Sequence, residues 1–110
     1  MTDDRTTRIR ALNDCLRCTG VGGQVVITRG IQALGPEKLR AVIAAVTTFD
    51  AFSEENDPHG EHDFAALTVE GARVMFKIDY YDRELTYGSE DPADPQVTRR
   101  VMTVLLAEEW

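Results

Sequence analysis

The sequence has few cysteines, few aromatic side chains and no long apolar run. Only two of its 110 residues are cysteine and 7% are aromatic. No apolar stretch approaches the ~20 residues that a membrane-spanning helix requires, and the first ten residues lack the apolar core of a signal peptide. We therefore expect a single domain over residues 1–110, located in the cytoplasm and built without a disulfide framework.

The two cysteines form a C-x-x-C pair, Cys15 and Cys18, which raises the question of a redox site. They fall at the C-terminal end of a predicted helix, whereas a redox pair uses a helix N-terminus, where the dipole lowers the thiol pKa. We therefore expect reduced, partly buried thiols without a redox role. The sequence leaves open whether they cross-link two chains.

Basic residues are scarce in one segment of the chain. The formal net charge is −7, but residues 50–94 contain thirteen acidic and three basic side chains, a net of −10, and residues 1–49 have a net of +3. Such an asymmetry indicates an electrostatic partner. Because no basic surface studded with aromatic residues is evident, direct nucleic-acid binding is disfavoured.

The sequence pattern of the N-terminal half predicts two helices and a short strand. Residues 2–4 offer N-cap candidates for a first helix that reaches about Cys18. The run Gly20-Val21-Gly22-Gly23 leaves this helix and enters a strand at 24–28, which is the reverse of the order in a phosphate-binding loop. We interpret it as a flexible turn. A second helix begins at Pro36 and has a clear apolar stripe.

The strongest strand signal lies at residues 62–69 and 72–81. They are joined by Glu70-Gly71, and a two-residue turn with glycine second favours a tight hairpin. In that register the odd-numbered residues of the first strand and the even-numbered residues of the second form the more apolar face, which we expect to pack against the helices. On the other face the register pairs His62 with Asp79.

Beyond the hairpin, residues 85–87 are expected to return as a further strand, with Leu85 and Tyr87 on the core face. Asp94-Pro95 has the signature of a helix start, which predicts a third helix that ends at Trp110. Apolar residues follow it at helical spacing: Val97, Val101, Val104 and Leu105. The expected fold is α+β, a three- to four-stranded antiparallel sheet with three helices packed around it, in the order α-β-α-β-β-β-α.

Residues 57–63 form the only cluster with metal-ligand chemistry. A metal-dependent enzyme or metal-binding protein centred there would use His59, His62, Asp63 and Asp79. The segment contains proline and glycine, so it is not a helix that presents both histidines on one face, and His62 is already assigned to a cross-strand pair. We expect no catalytic residue, metal or cofactor, and keep the metal site as the alternative.

The acidity of residues 50–94 has two interpretations. Carboxylates on alternate strand positions stand ~6–7 Å apart, about twice the ~3.4 Å phosphate spacing of one DNA strand, so such rows imitate part of a phosphate path. The other interpretation is an accessory domain whose acidity only maintains solubility. The residues expected to bind a partner are Asp50, Glu54, Glu55, Asp57, Glu61, Asp79, Asp82, Glu84, Glu90 and Asp91.

Several stretches resemble a family of small, uncharacterised bacterial proteins that is classed only as a domain of unknown function. They are RIRALND (8–14), NDPHGEHDF (56–64), KIDYYDRELTYGS (77–89), DPADP (91–95) and TRRVMTVLLAEEW (98–110). The resemblance implies no activity, cofactor or catalytic residue. It implies a context, because such proteins are similar to cargo of plasmids, integrative elements and prophages, where small acidic inhibitors of host defence occur.

Charge and context lead to one hypothesis. We expect a non-catalytic inhibitor of a host defence complex, of the anti-CRISPR or anti-restriction type, that acts as a DNA mimic. Its partner would be a basic DNA-binding protein or defence complex. It would contact neither nucleic acid nor membrane directly, and would act as a monomer or dimer.

Overall fold

The structure, a computed structural model, describes residues 4–110 of the chain. Its elements in chain order are α1 (Asp4–Thr19), β1 (Gln24–Ile27), α2 (Arg29–Gln32), α3 (Pro36–Thr47), β2 (Phe64–Val69), β3 (Ala72–Tyr81), β4 (Arg99–Leu106) and a closing 3₁₀ turn (Ala107–Glu109). The N-cap candidates Thr2 and Asp3 lie outside the described residues, and Asp4 is the first residue of α1.

The four strands form one sheet in the order β1-β4-β3-β2. β4 is parallel to β1 and antiparallel to β3, and β3 is antiparallel to β2. All three helices contribute to the core cluster, which joins Leu16, Ile31, Val42 and Val46 to side chains of β2, β3 and β4. The α+β class and the four-stranded sheet confirm the prediction, although β1 makes the sheet mixed.

The predicted hairpin is confirmed residue by residue. β2 and β3 pair from Phe64 opposite Lys77 to Val69 opposite Ala72, in the expected register. Glu70-Gly71 forms the turn with φ angles of 47° and 83°, because a two-residue hairpin turn of this kind needs positive φ at both positions. Of the even-numbered residues of β3 that were expected to face the helices, Val74, Phe76 and Ile78 are buried, and Ala72 and Tyr80 at the two ends are half-buried.

The predicted third helix is wrong, because residues 99–106 form strand β4. β4 lies between β1 and β3, which cover both of its hydrogen-bonding edges. Its even-numbered side chains Arg100, Met102 and Val104 are buried, and on the other face Leu105 is buried as well. The strand predicted at 85–87 is also wrong. Leu85 and Tyr87 are exposed, and only an isolated bridge between Tyr81 and Gly88 links this loop to β3.

The cysteines lie at the C-terminal end of α1, as predicted, but the expectation of partial burial is wrong. Both Cys15 and Cys18 are exposed and carry free thiols. No helix within residues 4–110 is long and apolar enough to cross a membrane.

One carboxylate fastens the C-terminal turn to α2. Glu109 accepts hydrogen bonds from the Thr28 hydroxyl at 2.7 Å, the Gly30 N–H at 3.0 Å and the Leu106 N–H at 2.8 Å. The bond from Thr28, followed by that from Leu106, lowers the pKa of Glu109 below its ordinary value of 4.5. The ionised carboxylate therefore stabilises the folded state.

Glu109→Gln is expected to remove a pH-dependent contribution to stability. Because the folded pKa lies below the unfolded one, this contribution is present above the unfolded pKa and is lost as the pH falls through the folded pKa. The stability difference between wild type and Glu109→Gln should therefore shrink as the pH falls from about 5 towards 3. Urea unfolding of both proteins across this range measures it, and a pH-independent difference would contradict the assignment.

Candidate functional site

Both acidic loops emerge from the same end of the sheet. Phe64 at the start of β2 pairs with Lys77, while Tyr81 at the end of β3 pairs with Arg99 at the start of β4. The loop that leads into β2 and the loop that joins β3 to β4 therefore lie at one end. We call these two loops, residues 50–63 and 82–98, the acidic end.

The first turns of α1 contact both loops of the acidic end. Arg10 donates from Nε to the carbonyl oxygen of Gly60 at 2.6 Å. Arg5 donates from Nε to the Asp91 carboxylate at 3.2 Å. A single helix therefore positions the two loops relative to each other.

A buried polar network lies behind the acidic end, centred on Asn13 of α1. Its amide donates to the Glu61 carbonyl oxygen at 3.0 Å and to the Tyr80 hydroxyl at 2.8 Å, and its side-chain oxygen accepts from Nε of Arg100 at 2.8 Å. Arg100 also donates to the carbonyl oxygen of Pro92. The network thus joins α1, β3, β4 and both loops.

Tyr80 is an ionisable member of this network that remains protonated. Burial, reinforced by the neighbouring carboxylate of Glu61, raises the pKa of Tyr80 well above its ordinary value. The protonated hydroxyl donates to Oε1 of Glu61 at 2.8 Å. Burial also lowers the pKa of Arg100, whose guanidinium carbon lies 5.1 Å from the centre of the Tyr80 ring. The arrangement fixes Glu61 by its side chain as well as by its backbone.

A second set of contacts holds the residues around His62. The His62 ring stacks on Phe52 with a centroid distance of 3.9 Å. Its Nδ1 lies 2.8 Å from Oδ1 of Asp14, and its Nε2 lies 3.7 Å from Oδ2 of Asp57. The predicted pair of His62 with Asp79 is wrong, because Asp79 instead forms an ion pair with Lys77 at 2.9 Å.

Arg17 links this second set to the end of α3. Its Nη2 donates to Asp14 at 3.0 Å, and its Nη1 donates to the carbonyl oxygens of Val46 at 3.2 Å and Phe49 at 2.7 Å. The Val46 carbonyl belongs to the last turn of α3, where a cation is favourable, and Phe49 follows the end of the helix. The helix end and the start of the acidic segment are therefore anchored to α1.

The four candidate metal ligands are not assembled into one site. His59 is exposed, and His62 and Asp79 have the separate partners described above. Asp63 is half-buried, and burial raises its pKa, with a smaller contribution from the charges of Glu61 and Asp57. Within residues 4–110 no group of three or more His, Cys, Asp or Glu side chains is arranged to hold a metal ion.

Half of the predicted partner-binding residues have interactions within the protein. Asp82 accepts the N–H groups of Thr86 and Tyr87 at 2.9 and 3.3 Å and so shapes its own turn. The other four bind His62, Tyr80, Lys77 and Arg5 respectively: they are Asp57, Glu61, Asp79 and Asp91.

The other half of the predicted residues are exposed. Their carboxylates have no hydrogen-bond or ion-pair partner in the part of the chain that the structure describes. All five belong to the acidic end: Asp50, Glu54, Glu55, Glu84 and Glu90. Their charge is therefore available to another molecule.

A cleft of about 530 Å³ opens within the acidic end. Its lining includes three acidic side chains, Asp82, Glu84 and Glu90, one basic side chain, Arg83, and Tyr87 and Val97. The Arg83 guanidinium donates to the carbonyl oxygen of Gln96 at 2.9 Å. Tyr87 is 74% exposed, Leu85 46% and Val97 40%. The surface thus combines carboxylates with exposed apolar and aromatic side chains.

The sequence profile of a family described as protein of unknown function, DUF3768, matches residues 27–109. The chain belongs to the DUF3768 family. The match confirms the resemblance to an uncharacterised domain family without an established activity, and it includes the acidic end and strands β2 to β4. Searches of curated proteins and of solved structures returned no significant match.

Sequence reasoning missed the residues that organise the site of this DUF3768 protein. Asn13 and Arg17 are buried on the same stripe of α1 as Ile9 and Leu16. Polar residues on an apolar stripe must find partners when the stripe is buried, and this was the available signal. Arg100 offers no such signal, because the residues around it have the apolar spacing of a helix and Arg100 lies off its apolar stripe.

Proposed function

We propose that this DUF3768 protein is a non-catalytic binding protein whose acidic end occupies the DNA-binding surface of a basic partner. In this proposal it inhibits a host defence complex by mimicking DNA. A carboxylate array competes with phosphates for the same Lys and Arg side chains, since both present anionic oxygens to cationic donors.

The main support for this proposal is the cleft of the acidic end. Exposed carboxylates at Glu84 and Glu90 border the exposed side chains of Tyr87 and Val97. In protein interfaces, buried aromatic side chains supply much of the affinity, whereas surrounding charges accelerate association and select the partner. The acidic end offers both kinds of group together.

Solubilising acidity alone does not account for this surface. A solubilising surface needs charge and few exposed apolar side chains. Here Leu85, Tyr87 and Val97 are exposed amid the carboxylates. Their position favours a binding surface over a solvated one.

The buried network also supports a binding role. Asn13 and Arg100 connect α1 and β4 to both loops of the acidic end. Loops fixed before association lose less conformational entropy when they bind. The network therefore favours affinity without contacting the partner itself.

Charge reversal within the acidic end is expected to abolish partner binding. The test variant is Glu54→Lys/Glu84→Lys/Glu90→Lys, and the matched control is Glu37→Lys/Glu70→Lys/Glu108→Lys, which changes the net charge equally at exposed positions outside the acidic end. Tagged wild-type protein is used to capture partners from a bacterial lysate, which are then identified by mass. Wild type and control should retain a basic DNA-binding protein that is released by raised salt, because salt screens exposed charge pairs.

The test variant should lose this partner while circular dichroism shows an unchanged fold. Equal retention by test variant and control, or a partner that resists high salt in both, would contradict binding through the acidic end. Circular dichroism on all three proteins distinguishes a lost interaction from a lost fold.

A further inference from the structure

A second cleft, of about 270 Å³, lies where the loop after α1 meets the start of β4. Its lining residues are Gly22, Gly23, Gln24, Thr98, Arg99, Arg100 and Val101. None of them is acidic, although the chain contains nineteen Asp and Glu residues. The cleft is therefore a local exception to the acidity of the protein.

The wall of this cleft is rich in unpaired donors. The backbone N–H groups of Gly22 and Gly23 donate to no other group within residues 4–110. The exposed guanidinium of Arg99 likewise has no hydrogen-bond or ion-pair partner there. Backbone N–H groups beside a guanidinium favour a ligand that carries negatively charged oxygens.

Close packing holds the glycine loop against β4. A Cβ atom at Gly23 would lie 2.6 Å from the carbonyl oxygen of Arg100 and 3.0 Å from a methyl carbon of Leu16. Gly22 has a φ of 96°, a conformation that glycine adopts readily. Glycine at position 23 lets the loop backbone approach β4, the strand that carries Arg99, and glycine at position 22 permits the positive φ of the turn.

We infer that this cleft binds the phosphate group of a phosphorylated ligand, with Arg99 as the counter-charge and the N–H groups of Gly22 and Gly23 as donors. The site is separate from the acidic end and requires a ligand of the opposite charge.

The sequence disfavoured a phosphate loop here because the glycine run leaves a helix and enters a strand. That argument still excludes a contribution from a helix dipole. The structure adds a different cation, because β4 brings Arg99 to the glycine loop where a terminal helix had been predicted. The nearby Asp91 carboxylate is occupied by Arg5 and by the N–H of Ala93.

The test is calorimetric titration of the full-length protein with three probes: inorganic phosphate, AMP and a thymidine hexanucleotide without terminal phosphates. Arg99→Ala is the test variant. Arg40→Ala is the matched control, since Arg40 is also exposed but lies on α3, away from the cleft. At least one probe should bind wild type and the control equally, and bind Arg99→Ala about tenfold more weakly, because a charged hydrogen bond is lost.

The three probes separate the possible sources of the phosphate. Preference for AMP or inorganic phosphate assigns the cleft to small phosphorylated molecules, and preference for the hexanucleotide assigns it to strand phosphates; each result supports the inference. No binding of any probe to wild type overturns it, as does equal weakening in Arg99→Ala and Arg40→Ala. Circular dichroism confirms that both variants are folded.

Discussion

Replacing Asn13 with leucine is expected to lower the free energy of unfolding by about 3–4 kcal/mol. Leucine has a similar size but leaves three groups without this partner: the Glu61 carbonyl, the Tyr80 hydroxyl and Nε of Arg100. Asn13 is 0% and Arg100 is 2% exposed. Arg100 keeps its bond to the Pro92 carbonyl, but water cannot reach its buried Nε without a rearrangement, and a buried donor on a charged group is costly to leave unsatisfied.

Urea unfolding followed by circular dichroism measures this effect. Arg8→Leu is the control, because Arg8 lies on the same helix and is exposed, so the change in free energy should remain within about 0.5 kcal/mol. A loss below about 1 kcal/mol in Asn13→Leu would contradict the role of Asn13 as the centre of the network. Since whole domains have only about 5–15 kcal/mol of stability, the expected loss is large.

Replacing Phe76 with alanine is expected to cost about 3–5 kcal/mol, the usual range for a fully buried phenylalanine. Its ring centroid lies 5.8 Å from that of Phe49 and 6.3 Å from that of Phe52. Phe52 in turn stacks on His62. The cavity should therefore loosen residues 50–63 as well as destabilise the core.

Phe64→Ala is the matched control for this substitution. Phe64 lies on the opposite face of the same hairpin and is half-buried. Its ring centroid lies 5.9 Å from that of Trp110. Phe64→Ala should lower the free energy of unfolding by about 1–2 kcal/mol, because a half-buried ring removes less apolar surface from water than the buried ring of Phe76. Amide hydrogen exchange should accelerate in residues 57–62 of Phe76→Ala and stay unchanged in Phe64→Ala; equal acceleration in both would contradict the proposed link.

The hairpin was predictable because two independent local signals agreed. Alternation of apolar and polar residues fixed which face of each strand is buried, and Glu70-Gly71 fixed the register. A register shift of one residue would have exposed Phe76 and buried Arg73. Sequence and structure therefore agree on this hairpin, where two short-range signals point to the same register.

β4 was not predictable by the same reasoning. Val97, Val101, Val104 and Leu105 stand at helical spacing after Asp94-Pro95, a frequent helix start. Val101 and Leu105 on one face are as apolar as Met102 and Val104 on the other, so the sequence of β4 lacks the alternation that identifies a half-buried strand. Its position between β1 and β3 is a long-range property of the fold.

The candidate site was predicted in part. Net charge identifies the acidic segment, since charge is additive along the chain, and the structure places its two loops at one end of the sheet. The roles of individual carboxylates were not visible, because Asp57, Glu61 and Asp82 bind groups within the protein. Leu85 and Tyr87 were expected in the core, and their exposure became apparent only with the conformation of the loop.

The most direct test of binding through the acidic end is carbodiimide coupling of the complex captured with wild-type protein. This reagent joins carboxylates to lysine amines that lie in contact, and mass spectrometry identifies the joined residues. We predict couplings from Glu54, Glu55, Glu84 and Glu90 to lysines on the partner's DNA-binding surface. Couplings confined to Glu37, Glu70 and Glu108, or to partner lysines remote from bound DNA, would contradict the account.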